Sequence, residues 1–172
     1  MSKAFTSEET EDTPRIVPPR APLPAGTPNY VTEHGLALLR EELAALALER
    51  AAAEREPEGA DRKQNLAALA QRSADLEARI ASAEVVGLPA PPRDKVRFGA
   101  TVSVEGDGGV RRYQIVGVDE ADAARGKIAF VSPLARALLG AAVGDCVRLR
   151  APRGEEELEI IALAYAETIG RD

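Results

Sequence analysis

The chain has 172 residues, a net charge of −6 at pH 7, 3% aromatic residues and no tryptophan. The acidic balance excludes broad, sequence-independent binding to nucleic acid, and the scarcity of aromatic rings excludes a base-stacking platform. The single cysteine, Cys146, excludes an internal disulfide and a cysteine-based zinc site. No apolar run reaches membrane-spanning length and no signal peptide opens the sequence, so a cytoplasmic protein without a membrane segment is expected.

Residues 1–28 are predicted to be a disordered tail. They mix serine, threonine, glutamate and several prolines without a periodic apolar pattern. A partner-binding segment is the alternative interpretation of the same composition.

Residues 29–87 are predicted to form an antiparallel coiled-coil hairpin. Thr32 is a suitable N-cap for a first helix that ends at about Ala53, and a second helix is predicted from about Asp61 to Val86. Pro57 and Gly59 oppose helix continuation between them. Apolar residues at alternating spacings of three and four define the seam, with Ser73 filling one position: Leu36, Leu39, Leu43, Leu46, Leu66, Leu69, Leu76 and Ile80.

A linker at residues 88–97 leads to a β-rich domain at residues 98–168. Gly106 to Gly109 predict a hairpin turn, and Ser132 and Pro133 are suited to start one short helix that stops near Gly140. Alternating apolar residues predict strands around it: Val102 and Val104, Tyr113 and Ile115, Val147 and Leu149, and Leu158, Ile160 and Ala162. The predicted fold class is α+β, a helical hairpin followed by an antiparallel sheet with one short helix.

Four carboxylates stand out at the predicted hairpin tip: Glu54, Glu56, Glu58 and Asp61. Clustered carboxylates can supply oxygen ligands to Mg²⁺ and so complete a metal site on another protein. Solvated charge is the simpler explanation of the glutamates, and the helix macrodipole explains Asp61. The sole histidine, His34, has no nucleophile or metal cluster around it in sequence, and no phosphate-binding glycine loop occurs, so the chain is not expected to be an enzyme.

Longer segments resemble the Gre transcript-cleavage factors, GreA and GreB. They are FGATVSVEGDGGVRRYQIVGVDEAD at 98–122, SPLARALLG at 132–140, VGD at 143–145 and NYVTEHGLALLREEL at 29–43. The resemblance implies an FKBP-like β domain that docks on the rim of the RNA polymerase secondary channel while the hairpin enters the channel. It also implies polymerase contacts by Asp119, Glu120, Ser132, Pro133 and Arg136, although Val131 stands where the family commonly has an aspartate.

In that family, acidic tip residues help to bind the second catalytic Mg²⁺ of the polymerase, which then cleaves backtracked RNA. Asp61 matches the first of these acids, but Gln64 replaces the second, and Ala67 and Ala68 replace later acidic and aromatic positions. A neutral amide supplies neither charge nor a proton acceptor. Glu58, three residues before Asp61, is a candidate substitute. Each hairpin arm is also expected to be shorter than usual by about one to two turns.

The expected function is therefore that of an elongation regulator whose partner is RNA polymerase, with contact to nascent RNA. Such a chain would have no cofactor of its own, would act as a monomer, and could share only the Mg²⁺ of the polymerase, through Asp61. Whether it stimulates cleavage or regulates without cleavage stays open. A generic coiled-coil module is the alternative from another class, and a peptidyl-prolyl isomerase is suggested by the FKBP-like fold alone.

Overall fold

The computed structural model describes residues 20–152 and 154–165. The predicted α+β class is confirmed, with a helical hairpin followed by a β domain. Two 3₁₀ turns, Val118–Glu120 and Ala123–Arg125, lie in the β domain. The remaining elements are β1 (Asn29–Val31), α1 (Glu33–Ala53), α2 (Ala60–Ala81), β2 (Ala83–Val85), β3 (Ala100–Gly106), β4 (Gly109–Val116), β5 (Lys127–Ala129), α3 (Pro133–Leu138), β6 (Cys146–Ala151) and β7 (Gly154–Tyr165).

The hairpin packs along the predicted leucine seam. Thr32 caps α1 by accepting a hydrogen bond from the backbone N–H of Gly35, and α1 ends at Ala53 as predicted. With 21 and 22 residues, the two helices are about 31 and 33 Å long at about 1.5 Å per residue. The buried seam consists of Leu39, Leu46, Ala53, Leu69 and Leu76, with Leu36, Leu43, Leu66 and Ile80 partly buried beside it.

The predicted end of the second helix at Val86 is wrong. Helix α2 ends at Ala81, because after the C-cap residue Ser82 the chain forms β2, which pairs in parallel with β1. The Asn29 side chain fixes this ending by donating to the carbonyl of Arg79 at 2.8 Å and to Ser82 Oγ at 3.1 Å. The strands that precede and follow the hairpin therefore lie side by side at its base.

The β domain contains a five-stranded sheet in the order β5-β4-β3-β7-β6. The predicted antiparallel pairing is confirmed for three pairs and wrong for β4–β5, which is parallel. The reason is that residues 117–126, with the two 3₁₀ turns, bring the chain back beside Gln114 before β5 begins. The core of the β domain is one buried cluster to which helix α3 contributes Ala135 and Leu138. The other members named here are Val96, Val102, Val104, Ile115, Leu158 and Ile160. The predicted strand positions are confirmed, whereas β5 is too short for an alternating pattern and was not predicted.

The alternating pattern predicts that Ala162 shares the strand face of Leu158 and Ile160, and this is wrong. The register of β3 against β7 shifts between Ser103 and Val104, so Val104 faces Ile160 whereas Val102 faces Leu163. An extra residue in one strand reverses which side chains face the core beyond that point. Ala162 is consequently exposed, and Leu163 packs on the core instead.

Part of the predicted tail has specific contacts. Residues 20–28 include a turn closed by the bond from Thr27 N–H to the Pro24 carbonyl, and Arg20 contacts both the hairpin and the β domain. Residues 1–19 and the predicted domain end at 168 lie outside the described residues. Within the described part, none of the helices has the length and apolar character needed to cross a bilayer.

Candidate functional site

The hairpin tip carries the four predicted carboxylates, all exposed, three of them between the helices and Asp61 at the start of α2. Glu54 is ion-paired with Arg50 at 3.1 Å. Asp61 lies in the first turn of α2, where the N-cap residue Gly59 makes no side-chain cap, so the Asp61 carboxylate is placed to interact with the helix dipole. Gln64, three residues further, shares the helix face of Asp61.

The tip does not form a metal site by itself. Among residues 20–152 and 154–165, no three or more histidine, cysteine or acidic side chains are grouped as ligands. Asp61 and Glu58 fit the role of one or two carboxylates added to a site that another molecule builds, because Mg²⁺ is commonly bound by one or two protein carboxylates plus other oxygens. Exposed Lys63 adds positive charge beside Asp61.

A second surface surrounds α3. Ser132 Oγ accepts a hydrogen bond from the Ala135 N–H at 3.2 Å, and Pro133 occupies the first helical turn. The predicted start of this helix is therefore confirmed. The exposed residues Pro133, Arg136, Leu139 and Val143 form what we call the α3 surface. It combines apolar side chains with one guanidinium, a composition common in protein–protein contacts.

Asp119 and Glu120 lie elsewhere, in the joint between the hairpin and the β domain. The Asp119 carboxylate is 2.7 Å from Arg20 Nη1 and 3.2 Å from Arg79 Nε, and its side chain is 8% exposed. Glu120 accepts from Thr32 Oγ1 at 2.5 Å and from Lys127 Nζ at 3.1 Å. Both charges are therefore engaged within the chain.

Three aromatic rings fill the same joint. Tyr30 of β1 packs on Phe98 and Phe130, with ring centroids 6.1 and 5.4 Å away, and these two phenylalanines lie 5.7 Å apart. Beside them a cleft of about 650 Å³ is bordered by His34, Leu88 and Gln114, together with the Glu120–Lys127 pair. The charges of that pair are matched to each other rather than directed into the cleft.

Residues 91–165 match the family model for the C-terminal domain of the transcription elongation factors GreA and GreB. The β domain matches this family along its described length, and we call it the Gre-type domain. The resemblance predicted from residues 98–122 and 132–140 is thereby confirmed for this part of the chain.

Curated relatives support the assignment of the Gre-type domain. Transcription elongation factor GreA of Anaeromyxobacter sp. (strain K) is 49% identical over 98 residues, which are 56% of this chain and 59% of that protein. GreA of Pseudomonas aeruginosa is 47% identical over 98 residues, or 55% of this chain and 61% of that protein. The match thus spans about three fifths of the length of these relatives.

Solved structures are also similar. The Thermus aquaticus Gfh1 structure is 25% identical, with a TM-score of 0.39, and the match covers 80% of this chain and 97% of that one. A GreA/GreB elongation factor from Nitrosomonas europaea is 24% identical, with a TM-score of 0.40, and the match covers 79% of this chain and 98% of that one.

The structure thus divides the five predicted polymerase contacts. Ser132, Pro133 and Arg136 lie together at α3 of the Gre-type domain, whereas Asp119 and Glu120 lie in the joint. Sequence reasoning missed the joint partners Tyr30 and Arg79. Periodicity gave no signal for them, because their contacts link segments far apart in the chain.

Proposed function

We propose that the chain is a transcription elongation regulator that docks its Gre-type domain on RNA polymerase and inserts the hairpin into the secondary channel. The match of residues 91–165 to the GreA/GreB C-terminal domain carries the proposal. The α3 surface supplies a docking face, since Arg136 is exposed next to apolar side chains and can pair with an acidic partner.

The hairpin suits a narrow channel. Its outward positions include many alanines, which keep the paired helices thin. Exposed alanines occur on both helices, at Ala44, Ala45, Ala67, Ala70 and Ala74. Small side chains let a surrounding protein wall approach the backbone closely, whereas long side chains would widen the projection.

The tip residues favour regulation in which the hairpin simply fills the channel, here called occupancy, over strong stimulation of RNA cleavage. Asp61 is the carboxylate that the hairpin offers in the first turn of α2, and Gln64 contributes a neutral amide on the same face. A cation at that position would meet less negative charge than two carboxylates provide. Stimulated cleavage of backtracked RNA, using Asp61 with Glu58 and the Mg²⁺ of the polymerase, is the second candidate, supported by the exposure of both carboxylates.

A binding measurement tests the docking step. Core polymerase is titrated into fluorescently labelled chain, comparing the parent with Arg136→Glu and with Arg150→Glu as a matched control. The Arg150 guanidinium is 91% exposed on β6 and pairs with Glu155 of β7 at 3.4 Å, so this charge reversal lies outside the residues of the α3 surface. We expect weaker binding for Arg136→Glu and parent-like binding for the control. No retention of the parent chain by polymerase would instead favour the generic coiled-coil module.

Occupancy and stimulated cleavage are distinguished by adding the chain to a backtracked elongation complex with Mg²⁺ and measuring nucleotide addition and RNA length. Occupancy predicts slower nucleotide addition with little RNA shortening, and a gain of shortening in Gln64→Glu. Robust shortening by the parent, abolished in Asp61→Asn and kept in the control Glu77→Gln on the exposed side of α2, would establish cleavage stimulation.

A further inference from the structure

Residues 20–28 connect the two parts of the molecule. We propose that this segment, called the strap, fixes the orientation of the hairpin relative to the Gre-type domain through the contacts of Arg20. The Arg20 guanidinium binds Glu42 in the middle of α1 and Asp119 in the first 3₁₀ turn of the β domain. One side chain thus joins three segments separated by 22 and 99 positions in the chain.

The strap has a second point of attachment on the other helix. Arg79 Nη2, near the end of α2, donates to the carbonyl of Ala21 at 2.5 Å. The same guanidinium lies 3.2 Å from Asp119 through Nε, and its side chain is only 9% exposed. Strap, α1, α2 and the Gre-type domain consequently meet around a single carboxylate.

Arg20 has a role at that carboxylate that Arg79 does not duplicate. Oδ2 of Asp119 is buried and accepts no hydrogen bond from the described residues, although Arg79 Nε is close to it. The hydrogen bond to Oδ1 comes from Arg20 at 2.7 Å. Removing Arg20 would leave a nearly buried carboxylate without that bond, and truncating one partner of such a pair is strongly unfavourable.

The length of the hairpin amplifies any change at the joint. An arm of about 31 Å that turns by about 10° displaces its tip by about 5 Å. Loss of the Arg20 contacts is therefore expected to appear as a change in tip position, while the sheet and the helix seam stay intact.

Pulsed electron paramagnetic resonance on the full chain tests the strap. Cys146 is an exposed thiol on β6 of the Gre-type domain, so one introduced cysteine, Ala70→Cys on the exposed side of α2, completes a spin-label pair. We expect a narrow distance distribution in this background and in the matched control Arg150→Ala. Arg20→Ala, and a chain beginning at Asn29, should each give a broadened distribution with a shifted mean.

Arg20→Lys tests whether charge alone suffices, and it should restore part of the narrow distribution, since a lysine provides one cation without the two-pronged geometry of arginine. Retained amide protection in β3 and β7 shows in each variant that the sheet is folded. An unchanged distribution in both Arg20→Ala and the shortened chain would overturn the strap. If the distance distribution changes in the shortened chain but not in Arg20→Ala, the proposal that Arg20 fixes the orientation would be overturned.

Discussion

Thr32 Oγ1 donates a hydrogen bond of 2.5 Å to Glu120 Oε2, and the same hydroxyl oxygen accepts from the Gly35 N–H at 2.9 Å. The residue that starts α1 therefore also binds the Gre-type domain. Helix capping and domain attachment are coupled at one hydroxyl, so disturbing either interaction is expected to disturb the other.

Replacing Thr32 by alanine should destabilise the chain more than loss of an ordinary cap. Removal of an N-cap side chain costs about 1 kcal/mol, and leaving a buried acceptor without a partner adds about 1–3 kcal/mol. Urea unfolding followed by circular dichroism measures the difference. Thr32→Ser retains the hydroxyl and should lose much less, so equal losses in both variants would show that the methyl group, rather than the hydroxyl, matters.

The effect of Gly35→Ala on the free energy of unfolding should depend on the residue at position 120. Alanine is favoured over glycine within a helix by about 1 kcal/mol, but a Cβ on Gly35 would lie 2.6 Å from Glu120 Oε2. We expect Gly35→Ala to lower the free energy of unfolding in the parent. In a Glu120→Ala background, the same change should raise it. A stabilising effect in both backgrounds would mean that the Glu120 side chain moves aside without penalty.

Gly117→Ala should weaken the joint through a backbone contact. A Cβ at Gly117 would meet the carbonyl oxygen of Tyr30 at 2.5 Å, so β1 and the β domain must separate locally. The expected loss is about 1–3 kcal/mol, within the range for overpacking. Gly108→Ala is the control, because nothing lies within 4 Å of a Cβ there. Amide exchange in β1 reports the separation, and unchanged protection would contradict it.

Cys146 should react slowly with alkylating reagents at neutral pH despite its exposure. Local desolvation and then the negative charges of Glu157 and Glu159 raise the pKa of its thiol above the usual value. A raised thiol pKa means less thiolate at a given pH, so the rate should rise only at higher pH than for a small thiol. Glu157→Gln combined with Glu159→Gln should move the profile to lower pH. If the pH profile of alkylation stays the same in the double variant, local desolvation rather than the two glutamates raises the pKa of the thiol.

The sequence predicted local features better than long-range ones. The leucine seam, the caps at Thr32 and Ser132 and the turn at 106–109 are local patterns, and the structure shows all of them. The bulge that exposes Ala162 and the strand that shortens α2 depend on partners distant in the chain, which periodicity does not encode. Asp119 and Glu120 show the same limit at the candidate site, because a surface acid and an acid in an interdomain joint look alike in sequence.

The pairing of β1 with β2 has a consequence for engineering. Val31 and Val85 are partners across adjacent strands, so the chain leaves the body of the protein and returns to it about 4.8 Å away. The helical projection is thus an insertion with closely spaced ends. Hairpins of other lengths or tip sequences can be grafted between those ends, provided that Thr32 and Arg79 are kept, which allows reach and tip charge to be varied separately.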